Sequence, residues 1–303
     1  MIKLLLSFYK VSVPIFIRRK ISICLFSLNA RLLRVQILSY FKRNVNLLYD
    51  LDIKSAVQYL QSNKISVFPN NFQNNYLNLD IDVISDLSTG LKFVIHNGKK
   101  LYFKRAWDEI TIREYYRSLI IEQDSNSPHL YLTDSFSVDR GSVFVDIGAA
   151  EGIIALDVID DASKVYLFEV NPDWIEALNA TFYTWADKVV IINKYASNVD
   201  SLNSVSIDNY FTGRETPNFI KIDVDGAESL VLDGCKNILN SASNIKVVIC
   251  TYHKQGDAAL FSTHFTELGF SVEFSKGLML FYCDTTKLIP PYFVKGVLRA
   301  FKN

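Results

Sequence analysis

Carboxylates and glycines recur where short apolar runs end in the second half of the chain. Asp146 follows one apolar run and opens a turn that contains Gly148 and Gly152. Glu169 ends the next apolar run, about twenty residues further along the chain. Since parallel strands end at one edge of a sheet, a carboxylate there can accept hydrogen bonds from both ribose hydroxyls of a bound nucleoside. The turn and Glu169 together predict a nucleoside-binding site.

The spacing of the glycines distinguishes between two cofactors that contain a nucleoside. A dinucleotide fold uses G-x-G-x-x-G, whereas this turn follows G-x-x-x-G and has Ala150 at the middle glycine position. Asp146 adds a negative charge that suits the ammonium group of an amino acid better than a diphosphate. The pattern favours S-adenosylmethionine, and an NAD-dependent oxidoreductase is the alternative. The residues expected to bind the cofactor are Asp146, Gly148, Ala149, Gly152, Glu169, Val170 and Asp223.

Two later strand ends carry the candidate catalytic groups, Asp223 and His253. Methyl transfer to a hydroxyl requires removal of a proton, and a neutral imidazole is suited to that task near pH 7. We therefore predict His253 as the general base, with Asp223 as the alternative. A divalent metal held by Asp223 and its neighbours could activate the hydroxyl instead. The sequence does not assemble three oxygen ligands, so no metal is predicted.

Three segments resemble motifs of the FkbM-family methyltransferases. The turn from Asp146 to Gly152 is similar to the family's D-x-G-A-N-x-G, with Ala150 in the place of Asn. The segment from Phe168 to Pro172 is similar to the acidic residue that the family places before proline. The run IKIDVDGAE, residues 220 to 228, follows the family's I-K-x-D-V-E-G-A-E with Asp225 replacing the usual Glu.

This resemblance covers about residues 110 to 285 and implies both a cofactor and an acceptor. Members of the family transfer a methyl group from S-adenosylmethionine, often to sugar hydroxyls of polysaccharides or glycosylated natural products. The resemblance therefore implies an O-methyltransferase that acts on a sugar or glycan acceptor. A catalytically inactive member that keeps the fold as a binding module is a further alternative.

The residues from Val143 onward form an alternation of apolar strand patterns and helical patterns. This alternation predicts a parallel sheet covered by helices on both faces. The last two apolar runs, FSVEFS and LMLFYCD, are separated only by Lys276 and Gly277, which predicts an antiparallel pair. We expect an α/β, doubly wound Rossmann-like methyltransferase sheet in residues 110–290, mostly parallel with an antiparallel last strand. Residues 291–303 are expected to form a C-terminal tail.

The residues before 110 predict an N-terminal extension. Residues 1–66 are basic, apolar and helical in pattern, and residues 67–109 combine an Asn-rich linker with a β-hairpin at Asn97-Gly98. Residues 1–49 contain nine Lys or Arg and no Asp or Glu, although the whole chain balances 32 basic against 32 acidic residues. Residues 1–45 could lie on the inner membrane surface or form a helical pair packed on the main domain. The rest of the chain is acidic, which argues against a nucleic-acid partner.

The termini and cysteines indicate the compartment. Lys10 and Arg18 interrupt the N-terminal apolar run well before the length that a bilayer demands, and no small-residue cleavage site follows. We expect a cytoplasmic chain, free or associated with the membrane surface. The widely spaced Cys24, Cys235, Cys250 and Cys283 form no C-x-x-C pair, which predicts free thiols.

Overall fold

The computed structural model describes residues 15–282 and 288–302, and of residues 15–27 only the backbone. The N-terminal run from Leu4 to Phe8 and the thiols of Cys24 and Cys283 lie outside this description. Cys235 and Cys250 are buried free thiols. Within the described ranges, no helix combines the length and the apolar composition needed to cross a bilayer.

Two helices open the described chain, α1 (Ile15–Arg43) and α2 (Leu51–Ser62). Asp50 caps α2 by accepting hydrogen bonds from the N–H groups of its first turn. Ile37 and Phe41 of α1 are fully buried and pack against α2 and against Phe293. This part of α1 is therefore packed on the main domain, as one of the two alternatives predicted.

The expected hairpin forms within a small antiparallel sheet of β1 (Ile84–Ser85), β2 (Lys92–His96) and β3 (Lys99–Tyr102). Asn97 and Gly98 both have positive φ, of 49° and 78°, as a two-residue type I′ turn requires. The stretch before it is not the free linker that its Asn content suggested. Phe68 and Phe72 are buried there against Met279, because these apolar side chains find a cover on the main domain.

The seven-stranded central sheet has the order β11-β12-β10-β9-β4-β5-β6. Five neighbouring strands are parallel, and the inserted β12 is antiparallel to both of its neighbours. This is the mostly parallel, doubly wound sheet that the sequence predicts. The strands are β4 (Val143–Ile147), β5 (Lys164–Phe168), β6 (Val189–Ile192), β9 (Phe219–Ile222), β10 (Ile245–Cys250), β11 (Ser271–Phe274) and β12 (Val297–Lys302).

The structure corrects the prediction for the end of the chain. The partner of β11 is β12, and not the run that begins at Leu278. Met279 of that run makes only an isolated bridge to Val294. Residues 297–302 are therefore the antiparallel strand of the central sheet, so the domain extends beyond residue 290 and the expected tail is wrong.

Helices cover both faces of this sheet, and each face has its own apolar core. A short parallel pair, β7 (Tyr195–Ala196) and β8 (Ser204–Val205), lies beyond β6. The helices that follow α2 are α3 (Glu109–Glu122), α4 (Ile153–Asp157), α5 (Pro172–Thr181), α6 (Ile207–Tyr210), α7 (Glu228–Asp233), α8 (Lys236–Ser241) and α9 (Asp257–Glu267).

Candidate active site

A cavity of about 620 Å³ opens at the carboxyl ends of β4, β5 and β9. Gly148, Glu169, Val170 and Asp223 of the expected site all line this main cavity. Its volume lies in the range of ligand pockets, and its position at strand ends is where doubly wound sheets bind ligands. Two aromatic side chains that the sequence did not single out as ligands, Tyr115 and Trp174, also line it.

The Glu169 carboxylate is held rigidly at the rim of the main cavity. It accepts backbone N–H groups from Ala150 at 2.9 Å, Val170 at 2.8 Å and Asn171 at 2.7 Å. Two carboxylate oxygens offer about four lone-pair sites, so accepting capacity remains for a ligand hydroxyl. This side chain is partly exposed, and its position suits the ribose contact that the sequence predicts.

Gly148 is required by the protein itself. Its φ is +79°, and a Cβ there would lie 1.8 Å from the carbonyl oxygen of Asp223. The turn after β4 and the end of β9 can therefore approach only because this side chain is absent. Gly152 plays a packing role, since a Cβ on it would meet Leu178 and Phe182 at 2.7 and 2.9 Å. It contacts α5 and is not among the residues that line the cavities, contrary to the expectation of a cofactor contact.

The backbone amides of this turn are already used. Gly148 and Ala149 donate to the carbonyl of Phe168 at 3.0 and 3.2 Å, and Ala150 donates to Glu169. A diphosphate needs free N–H groups at a helix start, which this turn does not offer at these three positions. The turn therefore suits a ligand without phosphate.

Asp146 is buried and forms an ion pair. Its Oδ1 accepts Nζ of Lys221 at 2.8 Å, and the same ammonium donates to the carbonyl of Gly148 at 3.1 Å. Burial opposes the charge on Lys221, but Asp146 and Asp223 outweigh it and raise the pKa of Lys221 above its usual value. Asp146 therefore neutralises a lysine beneath the turn. It is not placed to contact the ammonium of a ligand directly. A lysine inside a buried strand was the sequence signal for this pair.

Asp223 lies between the main cavity and a smaller one behind the glycine turn. Its Oδ2 accepts the hydroxyl of Tyr131 at 2.8 Å. Burial alone would raise the pKa of Asp223, but Lys221 and the nearby imidazoles hold it below its usual range. Asp223 is therefore a carboxylate at neutral pH, with a fixed orientation.

His253 is positioned by a buried carboxylate. Its Nδ1 lies 2.7 Å from Oε1 of Glu228, while its Nε2 lies 3.7 Å from Asp223 and 3.6 Å from Asp225. Burial by itself lowers the pKa of His253, but the facing carboxylates, above all Glu228, raise it above its usual value. The imidazole lines a third cavity of about 120 Å³, which shares Asp225 and Tyr252 with the main cavity.

The ligand atoms of Asp223, Glu228 and His253 lie within 4.8 Å of one another, a spacing that a cation could bridge. Glu228 Oε1, however, already accepts the N–H groups of Val224 and Gly226, each at 3.2 Å. Both lone pairs of Oε1 are therefore used by the protein, while Oε2 is buried and has no hydrogen-bond partner among the described residues. A cation at this cluster would therefore bind Glu228 through Oε2.

The smaller cavity behind the turn has a volume of about 90 Å³. Ala149 and Asp146 of the expected site line it, together with Glu122, Glu151 and His129. The sequence analysis did not single out Glu122 or Glu151. We call it the inner cavity. It adjoins the main cavity, since Tyr115, Gly148, Ala150 and Asp223 line both.

Comparison with known families gives the decisive finding for identity. Residues 189–272 match the family described as the methyltransferase FkbM domain. This segment is similar to an FkbM-family methyltransferase domain. The match includes IKIDVDGAE, and it is narrower than the span from 110 to 285 that the motifs suggested. The glycine turn and Glu169 lie outside it. The FkbM domain is the domain of an enzyme family, and the family implies use of S-adenosylmethionine.

Solved structures similar to this chain include two methyltransferases and Trm5b. The FkbM methyltransferase of Methylobacillus flagellatus KT is 15% identical, with 64% of this chain and 55% of that chain covered and a TM-score of 0.44. The precorrin-6y C5,15-methyltransferase of Geobacter metallireducens GS-15 is 14% identical, with 55% and 82% covered and a TM-score of 0.39. Trm5b of Pyrococcus abyssi is 14% identical, with 70% and 55% covered and a TM-score of 0.40.

These likenesses are too distant to carry an argument about activity. The present chain spans about half the length of the Methylobacillus protein. No curated protein matches the chain. The acceptor must therefore be argued from the site.

Proposed function

We propose that this chain is an S-adenosylmethionine-dependent O-methyltransferase whose acceptor is a sugar hydroxyl of a surface polysaccharide or glycosylated metabolite. The observation that carries the proposal is the fixed Glu169 carboxylate at the rim of the main cavity, beside the close turn at Gly148. The carboxylate accepts the ribose hydroxyls, while the aromatic rings of Tyr115 and Trp174 line the same space.

The fit to a nucleoside with an amino-acid end is better than the fit to NAD. The turn's amides at Gly148, Ala149 and Ala150 are occupied, so a diphosphate would find no N–H donors there. The inner cavity continues the main cavity and is lined by the carboxylates of Glu122 and Glu151. An ammonium is favourable in such a space, whereas a phosphate is repelled.

The chain's own residues act by alignment and deprotonation. When bound, S-adenosylmethionine supplies a methyl group on a sulfonium whose sulfur keeps the bonding electron pair. His253 Nε2 accepts the proton of the attacking hydroxyl as the new oxygen–carbon bond forms. Glu228 holds the imidazole and stabilises its charged form, and Asp223 adds a second negative charge beside Nε2.

The acceptor enters beside His253 through the third cavity. Tyr252, Phe281 and Tyr292 line this cavity together with the imidazole. Aromatic faces pack against the apolar face of a sugar ring, while Asp225 and Gln255 provide polar groups for its hydroxyls. The shared residues Tyr252 and Asp225 connect this cavity to the main one, which brings the acceptor next to the donor.

We also propose that α1 contacts an anionic membrane surface. The chain would then work in the cytoplasm on a glycan that is linked to lipid. Leu28, Leu32 and Val35 are 52%, 60% and 60% exposed, and their spacing places them on one face of α1. The excess of basic residues in 1–49 suits anionic lipid. Leu32→Glu should weaken cosedimentation with phosphatidylglycerol vesicles, and Leu260→Glu, equally exposed on α9, should not.

The function is tested with methyl-labelled S-adenosylmethionine and purified glycan fractions. The expected result is label on the glycan with the wild-type protein and none with His253→Ala, while both proteins bind S-adenosylhomocysteine. Label on a peptide or a small phenol, with no label on any glycan fraction, would refute the sugar acceptor.

A further inference from the structure

The inner cavity contains a carboxyl group that accepts no hydrogen bond from the described residues. Glu122 ends α3, its side chain is 30% exposed, and it makes no hydrogen bond to any residue in the described ranges. Its closest charged neighbour is Nδ1 of His129, at 3.8 Å. That nitrogen is buried and also has no hydrogen-bond partner among the described residues. A buried nitrogen without a partner is rare in folded proteins and calls for an explanation.

The other carboxyl groups of the inner cavity each accept a hydrogen bond from a side chain. Glu151 accepts the hydroxyl of Tyr115 at 2.8 Å, and Lys221 is bound to Asp146. Asp223 is held by Tyr131. Among the carboxyl groups that line this cavity, Glu122 is therefore the one that accepts no hydrogen bond from the described residues.

The size and charge of the inner cavity define what it takes. Its 90 Å³ correspond to about three water molecules of ~30 Å³ each, which suits the Cα and ammonium groups of an amino acid. Glu122, Glu151 and Asp223 line it, so the part nearest to them favours a positive group. Lys221, the lysine that lines this cavity, does not neutralise these carboxylates, because its ammonium already bridges Asp146 and the carbonyl of Gly148.

We infer that Glu122 is the counter-ion of the α-ammonium group of the methyl donor, which enters the inner cavity with its amino-acid end. This inference rests on the proposed use of S-adenosylmethionine. It assigns a cofactor-positioning role to a residue of α3, outside the segment matched by the FkbM domain.

Ligand binding at Glu122 is coupled to the release of a proton. Burial, with the negative charges of Glu151 and Asp223, raises the pKa of the Glu122 carboxyl to about 8. Lys221 opposes this rise, and burial keeps the facing His129 neutral by lowering its pKa to about 4. The carboxyl is thus mostly protonated at pH 7 in the free protein. An ammonium beside it favours the ionised form, so binding releases the proton.

Calorimetry of the full chain at pH 7, in two buffers of different ionisation enthalpy, counts this proton. S-adenosylhomocysteine should release about one proton per molecule bound, as expected for a carboxyl whose pKa falls from about 8 to well below 7. 5′-Methylthioadenosine lacks the amino-acid end and should release none. Glu122→Gln should abolish the release with S-adenosylhomocysteine and weaken its binding about tenfold, without changing the binding of 5′-methylthioadenosine.

The matched control is Glu114→Gln, which makes the same change at an exposed position of α3 and should behave as the wild type. If S-adenosylhomocysteine binds the wild type without proton release, the inference is wrong and the proposed function stands. If it does not bind the wild type at all, both fail. The wild-type count does not depend on whether Glu122→Gln folds.

Discussion

Nδ1 of His253 lies 2.7 Å from Oε1 of Glu228, which leaves Nε2 directed toward the carboxylates at the edge of the main cavity. The contact favours the tautomer with the proton on the nitrogen that faces Glu228, although this nitrogen makes no aligned hydrogen bond, and Nε2 is then the nitrogen that can act as a base. Glu228 is itself fully buried and anchored by the turn at Val224 and Gly226. The orientation of the base is therefore built into the loop that follows β9.

This contact predicts the pH dependence of methyl transfer. The neutral imidazole is the active form, so kcat should fall as the pH drops below the raised pKa of His253. Glu228→Gln removes the largest contribution that raises this pKa, and the acidic limb should move to lower pH. Asp225→Asn should move it less, because the Asp225 carboxylate is fully exposed and screened by solvent. An acidic limb that stays in place in Glu228→Gln would exclude His253 as the base.

Glu169 should be essential for cofactor affinity. In Glu169→Gln, an NH₂ group replaces one of the oxygens that accept the three backbone N–H groups, so at least one N–H loses its acceptor. Such a loss costs about 1–3 kcal/mol, and the affinity for S-adenosylhomocysteine should fall about tenfold or more. Glu176→Gln, on the outer surface of α5 and paired with Arg105, is the matched control and should bind normally. Equal affinities of both variants in equilibrium dialysis would contradict the role of Glu169.

Alanine substitutions at Gly148 and Gly213 distinguish the cost of backbone strain from the cost of a steric clash. Both have positive φ, of +79° and +74°, but a Cβ on Gly213 has nothing within 4 Å. Gly213→Ala should therefore lose only about 1–2 kcal/mol of unfolding free energy. Gly148→Ala adds the clash with the Asp223 carbonyl and should lose roughly 2–5 kcal/mol in urea denaturation. Similar losses for the two variants would disprove the close approach of the two strand ends.

Ala150 has a backbone conformation that suits asparagine better than alanine. Its φ is +46°, a left-handed value that costs an alanine about 1–2 kcal/mol and that asparagine tolerates better. Ala150→Asn should raise the unfolding free energy by about 1 kcal/mol, since the side chain faces open cavity space and the N–H bond to Glu169 is kept. A loss of stability in the same denaturation experiment would show that the added side chain meets a steric obstacle.

The fold was predictable where apolar strand patterns alternate with helical patterns. The alternation after Val143 predicts β4, β5, β6, β9 and β10, and all five are confirmed. The antiparallel strand β12 was missed because Arg299 interrupts its apolar pattern. In the structure this arginine is buried and pairs with Glu273 of β11, so tertiary contacts compensate for its charge.

The site was predictable only in part. Residues at strand ends, such as Glu169 and Asp223, come together because parallel strands end at one edge, and sequence order is enough to place them. The pairing of Asp146 with Lys221, and the approach of Glu122 from α3, depend on contacts between elements far apart in sequence. Periodicity carries no information about such contacts.

The central claim is that the main cavity binds S-adenosylmethionine, and equilibrium dialysis of the wild-type chain against its demethylated product tests it most directly. S-adenosylhomocysteine and NADH are dialysed in parallel at equal concentrations. We predict saturable binding of one S-adenosylhomocysteine per chain and no binding of NADH. Binding of NADH with none of S-adenosylhomocysteine would contradict the assignment of this cavity.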